Sequence, residues 1–296
     1  MEFTNLTFWR NPIPTLCFFS LGMSIASLWI KKNAWLWGSF LASAILLALE
    51  ASILTPLGLI PIAILFFCHY FLKRDLNKGV RYLTFGVALT VSVGLFFHFL
   101  PGFHNWRIAA NMTLSPQAVP YHLWLNFDKP FIGLFVLVFR QPLIAHAARL
   151  KAVLVRTLPI ILVSILGMAL LSWYWGLVGW APKLPAILVP WMLCNLFFVT
   201  IPEEAFFRGF LQREIYEWFG KTKGASLLAV IVTSLFFTLL HVNFAPSFSF
   251  LGLIFLASMI YGALYQTTKA IESSILCHFL FNLTHFLLLS YPALQI

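Results

Sequence analysis

The C-terminal third of this chain sets six polar side chains into stretches that are otherwise apolar: Glu203, Glu204 and Arg208, then His241, then His278 and Asn282. Glu204 and Arg208 are four residues apart and share a helical face, where an ion pair offsets part of the cost of burial. Glu203 is turned about 100° from Glu204 on a 3.6-residue turn and has no such partner nearby in sequence. A carboxylate deprived of water and of a partner is a stronger base than an exposed one, as a general base near neutral pH requires. His278 and Asn282 are also four apart and face one way. Two imidazoles and a carboxamide converging on one carboxylate supply an activated water and hydrogen bonds for a tetrahedral oxyanion. These are the two demands of peptide hydrolysis without a covalent nucleophile. Each group also has a plainer reading: a structural ion pair for Glu204 and Arg208, an interfacial histidine for His241, an interhelical hydrogen bond for His278.

The elements that carry these groups must bring them level. Glu203 stands about 16 residues before the turn at 219–224 and His241 about 17 after it, which is about 24 to 26 Å of helix in each case at 1.5 Å per residue. An antiparallel hairpin there would set them side by side. A second turn near Lys269 places His278 and Asn282 about 13 to 20 Å along the following helix. Ser258 and Gly262 have the small-xxx-small spacing that lets helices approach closely.

The medium for such helices is lipid. Of the 296 residues, 61% are hydrophobic and 9% charged, and the mean hydropathy is +0.90, whereas a soluble domain carries roughly 25% charged residues. Apolar runs fall at about 13–30, 34–54, 57–72, 82–100, 131–146, 157–177, 186–212, 225–241, 249–266 and 270–290, so roughly ten spans are expected. They lack the alternation of barrel strands, which makes the expected fold class all-α, a polytopic transmembrane helix bundle. The Pro-containing stretch 101–130 is expected to be a connecting loop between an N-terminal bundle, residues 1–100, and a catalytic domain, residues 131–296. A helix over 186–219 would be about 51 Å long, so it must protrude, tilt or break near Pro202.

On a soluble protein the net charge of +10 would suggest nucleic acid. Here the positive residues sit between apolar runs, where topology selection puts them, and no nucleic-acid partner is expected. Most of them, including Lys31, Lys32, Arg74, Arg156, Arg213, Lys221 and Lys269, fall on one side, which reads as cytoplasmic. Arg10, Arg107, Lys129 and Lys183 fall on the other. Cys17, Cys68, Cys194 and Cys277 all lie in apolar segments and read as small buried hydrophobes rather than disulfides. Glu50, the histidines at 69, 98, 104, 122 and 146, and His285 are given no functional role.

Taken together, Glu203-Glu204-xxx-Arg208, Phe237-xxx-His241 and His278-xxx-Asn282 resemble the CPBP family, the CAAX protease and bacteriocin-processing membrane proteins, which includes type II CAAX prenyl endopeptidases. The resemblance covers roughly residues 120–290, and Leu125-Asn126-Phe127-Asp128-Lys129 is similar to the segment that precedes the core in bacterial members. It implies that Glu203 activates water with the help of His241, that His278 and Asn282 stabilise the oxyanion, and that Glu204 with Arg208 holds the site in shape. It leaves residues 1–100 without a role.

The resemblance implies a membrane-anchored protein or peptide substrate and, without organellar targeting signals in the sequence, a bacterial plasma membrane shared with lipid partners. No cofactor is required by a glutamate-type mechanism. The alternative is a divalent metal such as zinc, with His241 and His278 as two of three ligands, although HExxH is absent. Two other classes compete with hydrolysis: a transporter or channel using the Glu/His cluster as a relay, and a noncatalytic immunity protein. The first should show internal repeats, and none is visible.

Overall fold

The structure is a computed structural model and describes residues 11–294 apart from 31–32, 221, 223 and 245–246. Of the positive residues named above, Arg10, Lys31, Lys32 and Lys221 therefore lie outside the described residues.

The described residues form α1 (Pro12–Ile30), α2 (Ala34–Glu50), α3 (Leu59–Leu72), α4 (Lys78–Phe96), a two-stranded sheet of β1 (Trp106–Met112) and β2 (Tyr121–Leu125), then α5 (Phe131–Phe139) and α6 (Ala147–Tyr174). A helical run over 188–218 follows, made of α7 (Leu188–Cys194), a π segment (Asn195–Thr200), α8 (Ile201–Glu204), a second π segment (Ala205–Gln212) and α9 (Arg213–Trp218). The last elements are α10 (Ala225–Leu240), α11 (Phe248–Thr268) and α12 (Ile271–Leu288). With that run counted once there are ten helical rods among the described residues, and the helical class read from the sequence holds. Polar caps set several boundaries: Asn77 accepts from the Val80 N–H at 3.0 Å and Ser247 from the Phe250 N–H at 3.2 Å, each satisfying an orphan donor of a first turn.

Two expectations need correction. The stretch 101–130 is not a bare connection but carries the β1–β2 hairpin, whose strands are too short to show a convincing period of two. The run expected at 131–146 gives only α5, nine residues and about 13 Å long. It stops at Phe139 because Pro142 lacks an N–H and disfavours the α conformation at Gln141. Of the alternatives left open for 186–219, protrusion, tilt or a break near Pro202, the break does not occur. The winding changes to π on either side of α8, which absorbs the missing N–H without ending the run.

Among the described residues five helices, α1, α4, α6, α11 and α12, are long and apolar enough to cross a membrane, while α2, α10 and the 56–72 stretch are apolar but shorter. The four cysteines are buried and unbridged.

Contacts divide the chain into two units that interleave along the sequence: 1–109, 123–145 and 196–206 in one, 110–122, 146–195 and 207–296 in the other. In the first unit α1 packs on α2 and α3 on α4, and α5 touches α1, α3, α4 and α8. Residues 131–137 of α5 are all buried, as befits a helix apolar on every side. In the second unit α10 packs on α9 and α11, and α6 lies against α11 and α12. Its core joins Ile161, Ala257, Tyr261, Leu264 and Cys277.

Candidate active site

In the second unit, α10 ends at His241, where the last-turn carbonyls have no helical donor. The imidazole supplies one: His241 Nδ1 lies 2.7 Å from the Phe237 carbonyl oxygen. A carbonyl only accepts, so Nδ1 carries the proton and Nε2 keeps its lone pair, the form that can take a proton from water. The ring also stacks on Phe237, with centroids 4.3 Å apart and planes 20° apart.

His278, on α12, is buried. Its ring meets Tyr261 of α11 face to face at 4.8 Å and Phe237 edge-on at 6.1 Å. One turn further, Asn282 Nδ2 donates to Asn195 Oδ1 at 3.3 Å. A carboxamide has two N–H donors, so this bond fixes its plane and leaves a second donor. His241, His278 and Asn282 line one cavity of about 280 Å³, built from α6, α10, α11 and α12. Most of its other walls, among them Met168, Phe250, Ile254 and Phe281, are apolar, with Ser172, Thr284 and His285 as further polar members.

Arg208 is fully buried. Its Nη2 donates to Ser258 Oγ at 3.0 Å and to the Ser258 carbonyl at 3.2 Å. Its guanidinium also lies 5.5 Å from the Phe237 ring centre and 5.7 Å from that of Tyr261. The arginine thus holds the two aromatic rings on which the imidazoles rest. Four residues on, Gln212 donates to the Gly262 carbonyl at 3.1 Å, so the small pair Ser258 and Gly262 receives two polar side chains from the 205–212 segment.

Glu203 and Glu204 are buried and belong to the first unit. Glu203 is not the unpartnered carboxylate expected from its neighbours in sequence: Lys129 Nζ stands 2.5 Å from its Oε1. Lys129, expected in an outer loop, is mostly buried, with its side chain 15% exposed. His98, given no role above, has its Nδ1 2.6 Å from Asp128 Oδ2.

Residues 185–284 match the family described as type II CAAX prenyl endopeptidase Rce1-like. Over this third of the chain the sequence is similar to the CAAX-protease family. All six motif residues fall inside it; the Asn126–Lys129 turn and His98 do not. No curated protein and no solved structure gives a match. With five membrane-length helices among the described residues, the chain is an integral membrane protein that carries a segment similar to the CAAX proteases.

Sequence reasoning missed Asn195 and Tyr261. Asn195 had a signal, since it is an isolated amide in an apolar run, where polar groups are costly. Tyr261 had none beyond its aromatic character. A catalytic zinc takes three protein ligands. Among the described residues no three of His, Cys, Asp and Glu come together to hold one ion.

Proposed function

We propose that this chain is a metal-independent endopeptidase of a bacterial plasma membrane, hydrolysing a peptide bond in a membrane-anchored protein or peptide. The observation that carries the reading is the cavity shared by His241, His278 and Asn282, with the His241 lone pair on Nε2 left by the Phe237 bond. Water adds to the substrate carbonyl carbon while the Glu203 carboxylate, assisted by His241, takes its proton. His278 and Asn282 donate hydrogen bonds to the oxygen that becomes negative. The proton then passes from Glu203 to the amine nitrogen as the C–N bond breaks, and the carboxylate is restored. Glu204 and Arg208 keep the site in shape, Arg208 through Ser258 and the two rings.

The test compares the new protein N-termini in membranes of cells producing the wild type, Glu203→Gln or His241→Ala at equal levels. The wild type should generate neo-N-termini that both variants lose, a fall of about 10²-fold or more for each acid–base group removed. Termini that persist in either variant would refute the assignment. Loss of an ion flux in the variants with termini unchanged would favour a transporter. Inhibition of the purified wild type by phenanthroline, reversed by zinc, would overturn the metal-independent part.

A further inference from the structure

The Asn126–Lys129 turn lies outside the matched family segment, yet its polar groups form one connected chain. Asn126 Nδ2 is 3.4 Å from His98 Nε2, and the other ring nitrogen of His98 meets Asp128 Oδ2 at 2.6 Å. Asp128 Oδ1 accepts from the Lys129 backbone N–H at 2.9 Å. Lys129 Nζ then lies between the Phe96 ring, 4.7 Å from its centre, and Glu203 Oε1 at 2.5 Å. Of the carboxylates, Asp128 is fully buried and Glu203 nearly so.

The backbone enforces this arrangement independently. Gly133 stands one turn beyond Lys129, and a Cβ there would lie 2.5 Å from the Pro202 carbonyl oxygen, 2.6 Å from its Cα and 2.9 Å from Ala205 Cβ. So α5 rests directly on the residue that precedes Glu203. The reach from Lys129 to Glu203 is set by backbone against backbone as well as by a flexible lysine stem.

We propose that Lys129 is a positioning residue that holds Glu203 as an aimed anion, with the His98–Asp128 pair bracing the turn that delivers it. The inference rests on the reading of Glu203 as the group that takes the proton from water. A buried carboxylate that loses its cation takes up a proton instead of keeping its charge, and a protonated Glu203 has no lone pair ready for that step. The ammonium also favours return to the anion, so Glu203 readily hands its proton to the leaving amine.

Dicyclohexylcarbodiimide, which adds to protonated carboxyl groups in apolar surroundings, reports this charge state without any cleavage assay. The full chain in detergent micelles is treated at neutral pH, and Glu203 modification is read by peptide mass spectrometry. Wild-type Glu203 should resist; Lys129→Met should raise its modification about tenfold, and Lys129→Arg should stay near wild type. Gly133→Ala, which leaves every charged group in place, should raise it about threefold, and serves if Lys129→Met fails to fold. Equal modification in wild type and either Lys129→Met or Gly133→Ala would overturn the clamp. Because labelling does not depend on turnover, such a result is separate from persistence of neo-N-termini in Glu203→Gln, which would sink the proteolytic reading instead.

Discussion

The imidazole of His278 lies flat on the phenol ring of Tyr261, with centroids 4.8 Å apart and planes 13° apart. Phe237 serves His241 in the same manner, and Arg208 approaches both supporting rings. The two imidazoles are therefore oriented by stacking as well as by hydrogen bonds, through residues that perform no proton transfer.

Tyr261→Leu should slow cleavage about 3- to 10-fold, corresponding to the roughly 0.5–1.5 kcal/mol of an aromatic pair, while Tyr261→Phe should match the wild type. Rates of neo-N-terminus formation at equal protein level check this. Equal rates for Leu and Tyr at this position would show that the stacking does not orient His278.

Gly262→Ala should destabilise the second unit by about 1–3 kcal/mol, the usual cost of overpacking. Its Cβ would meet Gln212 Oε1 at 2.9 Å and Val230 Cγ1 at 3.0 Å. Gly252, on the same helix with open space around it, is the control: Gly252→Ala should be neutral or stabilising by roughly 0.5–1 kcal/mol. Thermal unfolding in detergent separates the two.

Lys183 lies in the loop before α7. Its ammonium donates to the carbonyls of Ala181 and Leu289, yet burial pushes its pKa down to about 8 from 10.5. The unfolded chain then binds more protons than the folded one between these values, so folding stability rises across that window as pH increases, and the penalty is full below about 8. Lys183→Gln should remove this rise. Melting temperatures of both proteins from pH 7 to pH 10 are the check, and parallel curves would contradict it.

The four native cysteines are all buried, so the wild type should react little with maleimides, and Thr222→Cys in the turn after α9 should react strongly. If the positive loops face the cytoplasm, a membrane-impermeant maleimide should label this variant only after the cells are opened. Labelling in intact cells would invert the topology.

The sequence read well where a signal was local. Motif residues at four-residue spacing gave Phe237 with His241, and His278 with Asn282, as elements of one cavity, and the Ser258 and Gly262 pair announced a close helix approach that Arg208 and Gln212 fill. What it missed depends on separation along the chain. Asn195 and Asn282 are 87 residues apart and His98 and Asp128 are 30 apart, with no periodicity linking either pair. Glu203 was misjudged as unpartnered for the same reason, since its cation arrives from the distant Asn126–Lys129 turn. Boundaries failed where charge and apolarity overlap: Arg149, Lys151 and Arg156 were read as loop, yet they occupy the first turns of α6.

Past Arg156 the apolar part of α6, residues 157–174, is about 27 Å long, close to a hydrocarbon core of about 30 Å. Only 11% of its apolar window is buried inside the protein, so in a bilayer this helix turns most of its apolar surface outward. Such a helix accommodates a thinner bilayer by leaning further. Ile165, Met168, Ala169 and Ser172 of this helix wall the cavity that holds His241 and His278. Acyl-chain length in the surrounding membrane thus becomes a variable of this chamber, and reconstitution in lipids of different chain length should change its width without altering a single residue.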